Sequence, residues 1–213
     1  MIILFEAQDL RVVKTLDNIK NSFLQLIKEK SFTKITVKDL TERARINRST
    51  FYKYYLDKYD LKEKIINDFL KDYEKEFSLD YIKSTHNSIN LNIDELEKLM
   101  LYFQIKEEMI MSLWDENMED CVLSKMQEIL EEKIGIWIKL NTDTEQLDKK
   151  DELFIRIFSC SFLVIIKWWF ECAPKCSARE IAQLVSDSRD LAHGKFLLDN
   201  CDLQREYYRD KTR

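Results

Sequence analysis

The chain has 213 residues, and 45% hydrophobic content is enough for a sizeable buried core. Two Gly and one Pro leave little turn chemistry for sheets and no clustered glycines for a phosphate loop or nucleophile elbow, so an all-α chain that is not an enzyme is expected. The formal charge of −5 is unevenly spread: from Leu10 to Asp60 twelve Lys or Arg stand against six Asp or Glu, a basic head of +6 on a remainder of −11.

The first helix is expected over residues 8–30, where Leu16, Ile19, Phe23, Leu26 and Ile27 recur at three- and four-residue intervals. A short connector follows, with Phe32 and Ile35 closing a small core. A second helix should open at Thr36, with Asp39 three residues on completing a capping box and Val37, Leu40 and Ala44 facing inward. Ile46 fills the corner, and Asn47 is placed to cap a third helix that carries Arg48, Ser49, Thr50, Phe51, Tyr52, Lys53 and Tyr54. So short a helix needs anchoring, which Phe51 and Tyr55 can supply from one side. The other sides then offer cations and hydroxyls, the groups that bind phosphates and base edges, as in the reading helix of a helix-turn-helix.

A fourth helix should start at Lys58, capped by Asp57, and run through Leu61, Ile65, Ile66, Phe69, Leu70 and Tyr73 towards Phe77. Residues 84–92 turn polar and read as a loop. Further helices are expected over 93–103, 106–114, 116–139, 146–173 and 177–200, about nine in all. A polar break at 141–144, Pro174, and a capping box at Ser177 and Glu180 punctuate them. The uncharged run from Ile157 to Ile166 is about half a bilayer span, so a buried helix is expected there.

Arg48-Ser49-Thr50-Phe51-Tyr52-Lys53-Tyr54-Tyr55, followed by Asp57-Lys58 and Asp60-Leu61, resembles the recognition-helix signature of the TetR family of transcriptional regulators. The resemblance covers about the first third of the chain. It implies a three-helix helix-turn-helix DNA-binding head over 1–57, a connecting helix over 58–82, and a larger helical effector-binding and dimerisation body over 83–213. One departure is Arg45, where the family usually has Gly; in a left-handed conformation Arg would cost roughly 1 kcal/mol more.

The expected DNA-facing set is Thr36, Lys38, Arg45, Arg48, Ser49, Thr50, Tyr52, Lys53 and Tyr54, with Lys58 at the head of the fourth helix, where phosphate contact is typical of the family. In the body, Phe69, Tyr73, Tyr102, Phe103, Met109, Trp114, Trp137 and Trp168 either fill a core or, as the resemblance implies, line a cavity for a small apolar or amphipathic effector. Phe162, Ile166 and Trp169 on one late helix, with Ile181, Leu184, Val185 and Leu191 on the next, are the expected homodimer surface. Two-fold symmetry would set two heads about 34 Å apart on successive major grooves.

The resemblance thus implies a cytoplasmic homodimeric regulator of double-stranded operator DNA, most often a repressor released by an effector. The alternative is an activator or architectural factor whose body docks a partner protein. No cofactor, metal or membrane partner is expected. Five dispersed Cys, Cys121, Cys160, Cys172, Cys176 and Cys201, read as reduced thiols. His86 and His193, and Gly135 and Gly194, stand too far apart to form a catalytic pair or a phosphate loop.

Overall fold

The computed structural model describes residues 10–79, 82–85, 88–142 and 146–192. Nine α-helices lie among them, with one two-stranded ribbon as the departure from an all-α fold. The head comprises α1 (Leu10–Ile27), a 3-10 turn (Phe32–Lys34), α2 (Val37–Ala44) and α3 (Arg48–Tyr54). The helix α4 (Lys58–Glu76) leads into the body, which holds α5 (Ile93–Ile105), α6 (Glu107–Leu113), α7 (Val122–Thr142), α8 (Lys149–Cys172) and α9 (Ala178–Ala192).

The ribbon replaces the loop expected over 84–92. β1 (Ile82–Thr85) pairs antiparallel with β2 (Ser88–Leu91), in a register that sets Ile82 opposite Leu91 and Ser84 opposite Ile89. Polar composition hid an alternation of apolar and polar residues in Ser88-Ile89-Asn90-Leu91, which has the period of a strand rather than of a helix. His86 falls outside the described residues, as do His193, Gly194 and Cys201.

The helix expected over 116–139 is also divided. A 3-10 turn (Glu116–Met118) comes first, Glu119 then adopts a left-handed conformation (φ 53°), and α7 begins only at Val122. An Asp148–Asp151 capping box, not anticipated, starts α8. The anticipated box at Ser177 is formed: its amide donates to Glu180 Oε2 at 2.7 Å, and its Oγ accepts from the Glu180 amide at 3.3 Å.

A single contiguous buried cluster runs from Ile19 and Phe23 in α1 to Ile181 and Ala182 in α9, so head and body share one core. In its middle, aromatic rings from three helices meet edge to face. Phe162 of α8 lies 5.3 Å from Phe77, the residue that ends α4, and 5.6 Å from Phe103 of α5, while Tyr73 lies 6.1 Å from Phe103. Among the described residues α8 is the one helix long and apolar enough to cross a membrane by length and composition. One side of it is interlocked with α7 and the aromatic cluster, through Ile155, Phe162, Leu163, Ile166 and Trp169.

Candidate nucleic-acid interface

The reading helix is short and held from behind. The Phe51 side chain is fully buried, with Tyr52 and Tyr55 each 5.5 Å away centroid to centroid. Burying a ring of this size contributes about 1.5–3 kcal/mol, which compensates for a helix too short to form alone. At its far end Lys64 Nζ donates to the Tyr54 carbonyl at 3.2 Å and to Asp60 Oδ2 at 2.9 Å, setting a cation at the negative end of the helix. Asp60 Oδ2 also accepts the Leu56 amide at 2.9 Å, and Asp57 caps α4 by accepting from the amides of Tyr59 and Asp60.

The start of α2 is equally defined. Thr36 Oγ1 accepts from the Asp39 amide at 3.2 Å, and Asp39 Oδ2 accepts from the Thr36 amide at 2.8 Å, closing the expected capping box. The same carboxylate meets Lys30 Nζ at 2.9 Å. The hydrogen bond from Lys30, with those from Thr36, holds the Asp39 carboxyl at about 2, below its ordinary 3.8. Arg43 grips Glu29 with both terminal guanidinium nitrogens, Nη1 and Nη2, the Nη2 bond being 2.8 Å, which ties α2 to the end of α1 and lowers the Glu29 carboxyl below its usual range.

Between α2 and α3, Arg45 takes the left-handed conformation that its place in the turn suggested (φ 54°, ψ 46°). Its amide donates to the Glu42 and Thr41 carbonyls, closing α2. Asn47 occupies the position before α3, but its side chain makes no capping bond. The first turn of α3 therefore leaves its amides without that side-chain acceptor, at the end of the helix that carries partial positive charge.

With Phe51 turned inward, Arg48, Ser49, Tyr52 and Lys53 are exposed, and Thr50 and Tyr54 are half-buried. Arg48 Nη2 donates to the Tyr52 hydroxyl at 3.2 Å, and its guanidinium lies 5.5 Å from the Tyr52 ring centroid, so the two side chains are coupled in one donor-rich unit. The Lys53 ammonium lies 5.5 Å from the Tyr54 ring. Thr36, Lys38 and Arg45 are exposed on the adjoining helix and turn. The structure thus gathers nine of the ten expected residues onto α2, α3 and the turn between them.

Lys58 is placed differently. Its ammonium is turned inward, donating to the carbonyl oxygens of Phe32, Thr33 and Ile35 at 2.9, 3.0 and 2.9 Å. Leu56, in the turn after α3, and Tyr59, in the first turn of α4, were not anticipated and are exposed. Their signal was available, as apolar side chains in a segment where Asp57 and Asp60 already supply the caps.

The body residues divide. Phe69, Tyr73 and Phe103 are buried, and Met109, Trp114, Trp137 and Tyr102 are partly so. Tyr102 donates to Asp72 at 3.3 Å, and burial followed by the Asp72 charge raises its phenol above the usual range. Trp168 belongs elsewhere, being exposed on α8. The expected dimer surface needs correcting in detail. Phe162, Ile166, Trp169 and Ile181 are buried inside the subunit; Leu184 is exposed, Val185 is partly buried, and the Leu191 side chain lies outside those described. The exposed apolar stripe of α8 runs instead through Leu153, Phe154, Ile157, Val164 and Trp168. A helix apolar on every side carries two such stripes, and spacing alone did not distinguish the inner from the outer.

A basic head that presents a short buttressed helix after a tight turn, on a predominantly helical body, defines a helix-turn-helix DNA-binding protein. Residues 24–65 match the family model described as bacterial regulatory proteins, tetR family, and residues 92–189 match that of a transcriptional regulator C-terminal region. The chain belongs to the TetR family of DNA-binding transcriptional regulators.

Among curated proteins it is similar to the uncharacterized HTH-type transcriptional regulator YxbF of Bacillus subtilis (strain 168), with 36% identity over 50 residues. That match spans 24% of this chain and 13% of the relative's length. Its fold is similar to that of a TetR transcriptional regulator from Streptococcus agalactiae 2603V, at 23% identity and a TM-score of 0.53, over 82% of this chain and 92% of that one. The dihydroxyacetone kinase operon activator DhaS is similar at 18% identity and a TM-score of 0.51, over 86% of this chain and 98% of that one. At these identities the likeness is one of fold.

Proposed function

We propose that this regulator is a cytoplasmic homodimer that reads a two-fold operator with α3 in the major groove, and that it represses until a small apolar or amphipathic effector enters the body. The observation that carries the reading is the exposed polar side of α3, with Arg48, Ser49, Tyr52 and Lys53 held outward by the fully buried Phe51. Arg48 and Lys53 have the donors to address guanine, while Lys38 and Arg45 suit the flanking phosphates. The exposed stripe from Leu153 to Trp168 on α8 supports a second copy of the chain as the occupant of that face.

Effector release follows from what α4 touches. Phe69 and Tyr73 of α4, with Phe77 at its end, are three of the five rings in the cluster they form with Phe103 and Phe162, so a molecule wedged among these rings displaces the helix that enters the head. It shifts the equilibrium only by as much as it prefers the displaced arrangement. The opposite sign of control, activation, is the one a structural neighbour is named for; in this chain it would run through a docked partner protein. Anisotropy titration of the full chain against the DNA flanking its own gene, with a scrambled duplex beside it, tests the reading. Selective, salt-sensitive binding lost in Tyr52→Ala and Lys53→Ala is expected; equal affinity for both duplexes refutes it.

A further inference from the structure

Lys58 opens α4, and its ammonium has three protons to donate, all of which are used within the protein. Its acceptors are the carbonyls of Phe32, Thr33 and Ile35, at 2.9 to 3.0 Å. The ammonium also lies 4.7 Å from the Phe32 ring and 5.3 Å from the Tyr59 ring, which meet edge to face at 5.1 Å. Reaching for a phosphate would exchange three charge-assisted hydrogen bonds and two ring faces for a contact in water. Lys53, exposed on α3, gives up no such network.

The bonded carbonyls belong to the 3-10 turn between α1 and α2 and to the residue just before Thr36, the cap of α2. Where that turn sits decides where α2 begins, and α2 carries α3 through the Arg45 turn. The body grips the same turn from another side. Thr33 Oγ1 donates to Glu119 at 3.0 Å, and the Lys62 ammonium, 4.2 Å from the Phe32 ring, donates to the Met118 carbonyl at 3.4 Å and pairs with Asp120 at 3.5 Å.

We propose that Lys58 is a positioning residue for DNA binding and not a phosphate contact: its ammonium fastens the α1–α2 connection to the head of α4 and so sets the pose of α3. The DNA consequence rests on the reading of α3 given above; the fastening itself does not.

The test compares the wild type with Lys58→Met and Lys58→Gln, with Lys38→Met, at an exposed cation read above as a phosphate contact, as the control. The probes are a duplex selected by the wild type from a random pool and a scrambled duplex of equal length, titrated across a KCl series. Each lost phosphate contact lowers the slope of log affinity against log salt by about 0.9, so a substitution present in both subunits of a dimer lowers it by about 1.8, and Lys38→Met is expected to show that loss. Lys58→Met is expected to keep the wild-type slope while the ratio of selected to scrambled affinity falls at least tenfold. Lys58→Gln, neutral but still able to donate to two carbonyls, covers the case in which Met prevents folding, and is expected to give an intermediate ratio at an unchanged slope. A slope lowered by about 1.8 with the ratio retained, or no change in either quantity, overturns the proposal.

Hydrogen exchange in free Lys58→Gln supplies a readout without DNA. The Lys34 and Ile35 amides, bonded to the Ser31 and Phe32 carbonyls, should exchange at least tenfold faster while those of α7 hold their rate. Unchanged exchange overturns the fastening. Faster exchange in a protein whose wild type selects no duplex upholds the fastening and refutes the reading of α3 instead.

Discussion

Replacing Arg45 by Gly should stabilise the protein while weakening its hold on DNA. Arg45 is held at φ 54° and ψ 46°, where a side chain bearing a Cβ costs about 1–2 kcal/mol. Glycine adopts this conformation freely but adds about 0.4–1 kcal/mol of entropy to the unfolded chain. The difference leaves a net gain of about 0.5–1 kcal/mol, or a Tm higher by about 1–4 °C for a chain of this length. Arg45→Ala is the control, since it removes the exposed guanidinium but keeps the Cβ, and should melt close to the wild type. Differential scanning calorimetry of the three proteins at matched concentration isolates the backbone contribution as the gap between Gly and Ala. Both variants lose the same cation beside the turn, so both should show the same reduction in the salt dependence of DNA binding. An Arg45→Gly protein that melts at or below Arg45→Ala refutes the argument from φ.

Thr36→Ala removes the cap of α2 and should destabilise by about 1 kcal/mol in urea unfolding, while the circular dichroism of the rest of the protein is retained. The Asp39 carboxyl is depressed from 3.8 to about 2 by Lys30 and Thr36, so its stabilisation is complete above its unfolded value and is lost as pH falls through about 2. Unfolding midpoints of the wild type and Asp39→Asn should therefore converge as pH drops from about 4 to about 2; a constant gap refutes the pairing. Ile157→Glu, on the exposed stripe of α8, should yield a folded monomer by sedimentation velocity, whereas Ile166→Glu, fully buried, should fail to fold. A dimeric Ile157→Glu protein would place the subunit contact elsewhere.

The head was legible in the sequence because its signals are local. The Thr36 box, the Asp57 cap, the inward Phe51 and the left-handed Arg45 each depend on residues within a few positions, and each can be read from residue type and spacing. Lys58 was not legible in this way, because its three acceptors lie 23 to 26 residues upstream and a cation at a helix start looks alike whether it faces a phosphate or a carbonyl. The two sides of α8 were indistinguishable for a related reason. Only the packing of Phe162 against Phe77 and Phe103 shows which apolar stripe is interior. The ribbon at Ile82–Leu91 was masked by polar composition, and the division at Glu119 by a backbone conformation that glutamate rarely adopts.

Trp168 and Trp169 sit side by side in α8, one turned to the surface and the other into the core. The first is 44% exposed on the outer stripe; the second is 1% exposed and donates its indole N–H to the Cys176 carbonyl at 3.0 Å. Adjacent in sequence yet facing different media, they make the helix its own pair of optical reporters. With Trp114 and Trp137 replaced by Phe, quenching and emission colour at one indole register whether a neighbour covers the outer stripe, and at the other whether the interior is intact, with no label attached.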